Sequence, residues 1–216
     1  MASATQLRQR ELKPGVYAPV VTIFAADEEL DLINYAKHVT RLGQAGVGLI
    51  LNGSYSEAIA LTNQERAILI KTARDALDGA GLTSTPIIAG VGVGSTRESI
   101  QLAREAHTAG ADAVIVIPPA FIARALNADQ AALLAYFSDI AAGSPLPVMA
   151  YSYPAATGIN LTAELLTAFA TRSPNSCGVK YTCNDIAKLS RVASVTASPQ
   201  FAQSSPRSSA CAVMAA

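Results

Sequence analysis

The sequence contains no tryptophan and few charged residues, and the low charge limits the kinds of partner that the chain is expected to bind. Only 15% of the residues are charged, and 16 basic residues balance 16 acidic ones. A chain without a net charge has no surplus that would attract nucleic acid or a charged membrane surface, so neither partner is expected. Half of the 216 residues are hydrophobic, which predicts one ordered domain of moderate size with a large core.

Cysteine is also scarce. Cys177, Cys183 and Cys211 have neither the number nor the spacing of a disulfide framework or a zinc site. A reduced compartment, the cytoplasm, is therefore expected. No group of His, Asp and Glu has metal-ligand spacing, so no metal site is predicted. No apolar stretch approaches membrane-spanning length, and residues 1–13 lack the apolar run of a signal peptide.

Apolar runs rich in β-branched residues recur along the chain and alternate with helical patterns. Each run is nearly continuous, which is typical of parallel strands buried on both faces. The predicted strands are Tyr17–Phe24, Gly48–Asn52, Pro86–Val91, Ala113–Ile117, Pro147–Tyr151 and Cys177–Tyr181. They lie roughly 25–40 residues apart, the spacing of repeating βα units. The sequence thus predicts an α/β fold with about six such units.

The predicted helices have recognisable starts. A hydroxyl residue followed three positions later by Glu forms a capping box. This pattern occurs at Thr62 with Glu65 and at Ser95 with Glu98. Later helices are predicted to be capped by Asn127, by Thr162, and by Asn184 or Asp185.

Two architectures fit this order of elements, an open doubly wound sheet and a (β/α)8 barrel. The first would favour a dinucleotide-binding glycine motif after the first strand. The glycines at 90, 92 and 94 follow the third strand and lack that spacing, so they are predicted to form a tight turn instead. The TIM barrel is favoured, with its active site at the C-terminal ends of the strands.

Two side chains near predicted strand ends are candidates for chemistry. Lys180 lies in an otherwise apolar strand, where burial favours the uncharged amine, a nucleophile that can condense with a ketone. Tyr151 ends the preceding strand and could relay protons. Taken alone, each has a structural alternative: a lysine that extends to solvent, or a core aromatic whose hydroxyl reaches the barrel mouth.

The turn after the second predicted strand is a candidate for anion binding. Gly53-Ser54-Tyr55-Ser56-Glu57 is rich in small residues. Such a turn exposes successive backbone N–H groups that can hold a carboxylate, and Ser54 adds a hydroxyl. A simple βα turn is the alternative.

Several of these blocks together resemble the dihydrodipicolinate synthase / N-acetylneuraminate lyase family of class I aldolases. The resembling segments, in family order and spacing over about residues 14–201, are Gly53–Glu57, Ile88–Gly92, Ser95–Glu98, Gly110–Ala113, Pro118–Pro119, Tyr151–Gly158 and Gly178–Lys180. A match of several ordered blocks is far more specific than any one of them. The resemblance implies a TIM barrel and cofactor-free Schiff-base chemistry.

The resemblance also implies roles for particular residues. Lys180 would form an imine with a 2-oxo acid, usually pyruvate, and Tyr151 would relay the proton. Backbone N–H groups of Ser54 and Tyr55 would hold the carboxylate, and Ser54 would join the relay. Thr182 would contact the substrate. Family members are commonly homotetramers.

Departures from the family pattern indicate a branch. Where dihydrodipicolinate synthases carry an arginine after the fifth strand, this chain has Ala156, and where they place a tyrosine after the fourth strand it has Phe121. Ser56 stands where the family usually has glycine. The resemblance is closest to the branch of 4-hydroxy-2-oxoglutarate and 2-keto-3-deoxy sugar-acid aldolases. Cleavage of a 4-hydroxy-2-oxo acid to pyruvate and an aldehyde is the expected activity, and dihydrodipicolinate synthase is the alternative.

The resemblance stops near residue 201, before the last units of a complete barrel. The predicted organisation is an N-terminal extension at residues 1–13, a partial barrel at 14–201, and an irregular tail at 202–216 without strand or helix signals. A barrel truncated after about six βα units leaves strand edges unpaired. This suggests a third possibility, an inactive family member that associates with full-length subunits.

Overall fold

A computed structural model describes residues 12–196 and the backbone of residues 211–214. The strands are β1 (Tyr17–Pro19), β2 (Gly48–Leu51), β3 (Ile87–Gly90), β4 (Ala113–Val116), β5 (Val148–Ser152), β6 (Ser176–Tyr181) and β7 (Cys211–Met214). The helices are α1 (Leu32–Gln44), α2 (Asn63–Gly79), α3 (Thr96–Ala109), α4 (Ala123–Ala128), α5 (Gln130–Gly143), α6 (Pro154–Thr157), α7 (Ala163–Arg172) and α8 (Ile186–Thr196). Six strands in succession are therefore each followed by helix, as the sequence predicts.

The described chain divides into two compact units. The first comprises the residues up to Ala89 together with Ala106–Asp112, and the second comprises Gly90–Glu105 together with the residues from Ala113 onward. Strands in each unit pair in parallel and in chain order. Strands β2, β3, β4 and β5 are buried throughout, as their nearly continuous apolar sequences predict.

In the first unit, a buried carboxylate binds the backbone at the start of β3. Asp112 Oδ2 accepts a hydrogen bond of 2.8 Å from the Ile87 amide, and the Asp112 amide donates to the Ile87 carbonyl at 2.8 Å. Arg74 of α2 lies nearby, with Nη1 at 3.9 Å from Asp112 Oδ2 and at 2.9 Å from the Thr85 carbonyl that accepts its hydrogen bond. Burial of this ion pair is compatible with stability because each charged group also has backbone partners.

The predicted helix starts are confirmed at four places and wrong at one. Thr62 and Glu65 form both hydrogen bonds of a capping box, and the Ser95, Thr162 and Asp185 side chains each accept from an amide three residues later. Asn127 does not cap a helix start but lies within α4. Asp129, two residues later, caps α5 instead, while Asn127 Oδ1 accepts from the Asn160 amide at 2.8 Å.

Two strand predictions need correction. The first strand ends at Pro19 rather than Phe24, because the chain beyond Val20 forms a bend closed by a bridge between Phe24 and Leu30. The tail was expected to be irregular, yet the backbone of Cys211–Met214 forms β7 and pairs in parallel with β6. Pairing with an available strand edge supplies backbone partners that the local composition does not reveal. The rest of the tail lies outside the described residues.

Gly92 allows two backbone segments to approach closely, which explains one of the glycines after β3. A Cβ atom at Gly92 would lie 2.5 Å from the Ile117 amide nitrogen and 2.9 Å from its carbonyl oxygen. A Cβ atom at Gly94 would meet nothing within 4 Å. The predicted tight turn thus depends on Gly92 for steric reasons, and Gly94 is less constrained.

We expect Gly92→Ala to lower the free energy of unfolding by about 1–3 kcal/mol, because the new methyl group must displace backbone atoms of Ile117. Gly94→Ala is the matched control and should change stability little, or raise it slightly by restricting the unfolded chain. Urea denaturation of the three proteins measures the difference. Equal midpoints for Gly92→Ala and the wild type would contradict this explanation.

Candidate active site

The second unit brings Lys180 and Tyr151 together at the C-terminal ends of adjacent parallel strands. Tyr151 of β5 and Lys180 of β6 are register partners. Lys180 is 3% exposed and Tyr151 is 4% exposed. The Lys180 Nζ atom lies 4.3 Å from the centroid of the Tyr151 ring, within the range of a cation–π contact. Of the two alternatives considered for Lys180, the structure shows the buried side chain and not the extended one.

An irregularity in strand pairing sets this juxtaposition. Val148 pairs with Ser176, but the next residue, Met149, pairs with Gly178. The pairing thus skips Cys177, and every later pair is displaced by one residue. In regular pairing Tyr151 would lie beside Val179. The bulge turns Lys180 to the face that carries the tyrosine, in keeping with the re-aiming of side chains by bulges near active sites.

A second tyrosine supports the first. The rings of Tyr151 and Tyr153 are stacked, with centroids 5.7 Å apart and planes inclined by 25°. Tyr153 immediately precedes α6, which begins with a proline and ends at a left-handed Gly158. The Tyr151 ring therefore contacts both an amine and an aromatic face, which restricts its rotation.

Thr182 adds a hydroxyl next to this pair. Its amide donates to the Ser152 carbonyl at 2.9 Å, so the ladder between the two strands continues one residue past the end of β6. Strand alternation places Thr182 on the same side as Lys180. Its Oγ1 atom is buried and finds no hydrogen-bond partner among the described residues. A buried hydroxyl in this state is available to a bound molecule.

The opposite side of the same strands carries another pair of buried hydroxyls. Ser152 and Tyr181 are register partners, and neither hydroxyl has a hydrogen-bond partner within the described part of the chain. Burial raises the pKa of the Tyr181 phenol above its ordinary value, and the nearby Cys183 adds to the effect. Tyr181 therefore remains protonated at neutral pH, and its position directs it away from Lys180.

Ser54 and Tyr55 belong to the first unit. Ser54–Ser56 forms a short 3-10 turn after β2. Ser56 fits where the resembling family usually has glycine: its Oγ accepts from the Gly53 amide at 3.2 Å and donates to the Val20 carbonyl at 2.6 Å. The left-handed residue of this segment is Glu57, with φ 54°. The Tyr55 side chain is 60% exposed.

The residues that distinguish branches of the resembling family are small or exposed here. Ala156 lies in α6 and offers only a methyl group. Phe121 follows β4 and is fully exposed, and the adjoining segment up to Ala125 lines a shallow groove with it. Sequence analysis did not single out the bulge opposite Met149, because it depends on strand pairing. It also did not single out Tyr153, although strand alternation places this residue on the same face as Tyr151.

Neither a metal cluster nor a membrane span is found in the described residues. No three His, Cys, Asp or Glu side chains there come close enough to hold a metal ion. No helix within the described ranges has the length and apolar character needed to cross a membrane.

Comparison with known proteins identifies the family. The model of the dihydrodipicolinate synthetase family matches residues 13–203. This match covers most of the chain, and the chain therefore belongs to that family. The resemblance inferred from the motifs is confirmed.

Two curated fungal relatives are aldolases by name. An Emericella nidulans protein named as a probable mitochondrial 4-hydroxy-2-oxoglutarate aldolase is 40% identical over 197 residues, which cover 90% of this chain and 62% of the relative. The L-threo-3-deoxy-hexylosonate aldolase of Aspergillus niger is 42% identical over 186 residues, 85% of this chain and 55% of the relative. The chain thus spans less than two thirds of the length of these proteins.

A solved structure confirms the fold class. The crystal structure of YagE from Escherichia coli K12, a member of the same family in complex with pyruvate, superposes with a TM-score of 0.78 and 33% identity. The superposition covers 92% of this chain and 62% of YagE. The chain carries the βα repeats of the family's barrel over the part that it spans, as predicted.

The raised pKa of Tyr181 gives a test of its burial. The folded protein holds this phenol proton to a higher pH than the unfolded chain does. Stability should therefore fall as pH rises above about 10, the ordinary pKa of tyrosine. Tyr181→Phe should remove part of that fall, measured by urea denaturation between neutral and alkaline pH.

Tyr55→Phe, at an exposed tyrosine, is the matched control and should follow the wild type across the same pH range. Tyr35 and Tyr136, whose pKa values burial also raises, contribute equally to all three proteins. Parallel curves for wild type and Tyr181→Phe would contradict the assignment.

Proposed function

We propose that the protein is a Schiff-base aldolase that cleaves a 4-hydroxy-2-oxo acid to pyruvate and an aldehyde. The observation that carries this proposal is the buried amine of Lys180 held against the ring of Tyr151. The names of the fungal relatives and the pyruvate bound in the YagE structure support the substrate class.

The chemistry begins with Lys180. Its amine nitrogen attacks the C2 carbonyl carbon of the substrate, and loss of water gives an imine. The protonated imine accepts the electron pair of the C3–C4 bond as that bond breaks. The C4 hydroxyl loses its proton, an aldehyde leaves, and an enamine remains on Lys180. Protonation at C3 and hydrolysis then release pyruvate and restore the amine.

Tyr151 is proposed to move the protons in these steps. Its phenol lies in the same face of the sheet as the amine, and stacking on Tyr153 keeps the ring in place. A positioned acid–base group of this kind contributes about 10²–10⁴-fold to the rate. A reaction that took its protons directly from solvent would not require the Tyr151 ring to be held in place.

Ser54, Tyr55 and Thr182 are proposed as substrate-binding residues. Amide groups at the start of the 3-10 turn at Ser54 and Tyr55 suit a carboxylate, because the first N–H groups of a helical turn point outward from it. Ser54 is also proposed to join the proton relay. The buried, unpartnered Oγ1 of Thr182 suits a hydroxyl of the cleaved chain.

Ala156 favours the aldolase over the synthase alternative. A methyl group cannot pair with a substrate carboxylate as a guanidinium does. The homotetramer and the cytoplasmic location remain predictions from sequence, and the Emericella relative is named mitochondrial.

Reduction with borohydride in the presence of pyruvate should attach a stable adduct to Lys180, because hydride converts the imine to a secondary amine. Peptide mass spectrometry locates the adduct. Lys180→Met should abolish it. Lys188 is the matched control, since it is also buried, at 6% exposed, and should remain unmodified.

Absence of an adduct on Lys180 in folded protein would overturn the catalytic proposal and favour the non-catalytic alternative. Where the adduct forms, pyruvate release from 4-hydroxy-2-oxoglutarate and from 2-keto-3-deoxy sugar acids identifies the substrate. Consumption of pyruvate with aspartate semialdehyde, and no release from either acid, would instead support the synthase.

Tyr151→Phe should lower kcat for cleavage by about 10²–10⁴-fold while the protein stays folded, because the ring and its stacking are kept and only the hydroxyl is lost. Tyr153→Phe removes a hydroxyl from the stacked neighbour and should change kcat by less than about tenfold. Steady-state kinetics of both variants provide the comparison. Equal losses in the two would indicate that the Tyr151 hydroxyl has no special role.

A further inference from the structure

A buried lysine outside the proposed site lies in contact with a cysteine. Lys188 of α8 is 6% exposed, and its Nζ atom donates to Asn160 Oδ1 at 2.6 Å. The same atom lies 3.8 Å from the Cys183 Sγ atom and 3.9 Å from Asp185 Oδ2. We call Cys183, Lys188, Asn160 and Asp185 the Lys188 cluster.

The backbone fixes the lysine in this position. Asp185 Oδ1 accepts from the Lys188 amide at 2.8 Å and so caps the first turn of α8. Asn184 adopts a left-handed conformation, with φ 52°, and reverses the chain between Cys183 and the helix. These constraints bring the side chains of Cys183 and Lys188, five residues apart, into contact. No long loop has to be ordered to achieve this.

Within this cluster, Cys183 has the features of an oxidation-sensitive thiol. Cys183 is partly exposed, so a small oxidant can reach it, whereas Cys177 is buried in β6. Hydrogen peroxide oxidises the thiolate form of an accessible cysteine. The Lys188 nitrogen, 3.8 Å from the sulfur, is a nucleophile once it has lost a proton, and a sulfenic acid condenses with nitrogen to form a sulfenamide.

We propose that Cys183 and Lys188 form a peroxide-dependent covalent cross-link. The thiolate attacks one oxygen of hydrogen peroxide, the O–O bond breaks, and Cys183 sulfenic acid and hydroxide form; sulfur loses two electrons and peroxide gains them. The Lys188 ammonium gives a proton to the hydroxide, which becomes water, and its nitrogen then attacks the sulfur. A sulfur–nitrogen bond forms, the sulfur–oxygen bond breaks, and the oxygen leaves as water with a proton from the nitrogen.

The cross-link would change what holds two loops together. Lys188 Nζ would leave Asn160, which lies between α6 and α7 and whose amide and carbonyl are tied to Asn127 and Gln130. The new sulfur–nitrogen bond would join Cys183 to Lys188 and so close a ring over the turn that begins directly after Thr182. Peroxide would therefore act on the connection between β6 and α8, three residues beyond Lys180.

Peptide mass spectrometry tests this inference without any assay of activity. The protein is treated with hydrogen peroxide, free thiols are alkylated after unfolding, and the chain is digested with trypsin. A modified Lys188 resists trypsin, so the expected product is an uncleaved peptide 181–191, about 2 Da lighter than its unmodified form, since two hydrogens are lost. Dithiothreitol should restore normal cleavage after Lys188, because thiols reduce the sulfur–nitrogen bond.

Two variants control the result. Cys183→Ser should abolish the product. Lys188→Arg keeps a cation beside the thiol and should leave Cys183 as a sulfenic acid that dimedone traps. Cys177 is an internal control in the same digest and should be alkylated throughout, because it is buried in the folded protein.

Either of two outcomes in the wild-type protein would overturn the proposal. One is Cys183 oxidised to the sulfenic or sulfinic acid while trypsin cleaves normally after Lys188. The other is Cys183 fully alkylated at peroxide concentrations that oxidise free cysteine.

Discussion

The register between β5 and β6 is the constraint on which the proposed chemistry depends. Lys180 meets the ring of Tyr151 only because the pairing skips one residue between Ser176 and Gly178. Side chains alternate along a strand, so a slip of one residue moves every later side chain to the opposite face. Without the bulge, the amine would lie beside Ser152 and the tyrosine beside Val179. Strand register, rather than the choice of side-chain rotamer, therefore determines which functional groups are adjacent.

The same alternation gives β6 two different chemical faces. Lys180 and Thr182 lie on the face shared with Tyr151, whereas Tyr181 faces the other way with Ser152. Beyond the strand, Cys183 contacts Lys188, a second buried amine with a carboxamide, a thiol and a carboxylate around it. The two lysines are thus buried for different reasons. Lys188 is held by polar groups that satisfy it, whereas the Lys180 nitrogen lies over the face of an aromatic ring.

Much of this arrangement follows from local sequence, because its causes are local. Continuous apolar runs predicted β2 to β6 close to their observed bounds, and the Thr62–Glu65 capping box needs only four residues to form. The candidates Lys180 and Tyr151 were predicted from a strand end and a family motif. Their contact and the bulge were not predictable in this way, since both depend on pairing between segments distant in sequence. The stacking of Tyr153 on Tyr151 is local by contrast, because residues two apart on a strand share a face. The strand at Cys211–Met214 was missed for the same reason: its partner lies in β6.

Fold and substrate choice depend on different parts of this chain. The strands and their packing match a family whose members carry several activities by name, among them aldolases and a tetrahydrodipicolinate synthase. The imine chemistry proposed for Lys180 and Tyr151 would suit all of these, because each reaction can begin with a 2-oxo acid and an amine. Discrimination must then come from groups that contact the rest of the substrate. In the proposed site these groups are small or neutral, namely Ala156 after β5 and the hydroxyl of Thr182 after β6. In the proposed site, such groups would suit a hydroxylated, uncharged chain better than a second carboxylate, because neither can pair with an anion as a guanidinium does.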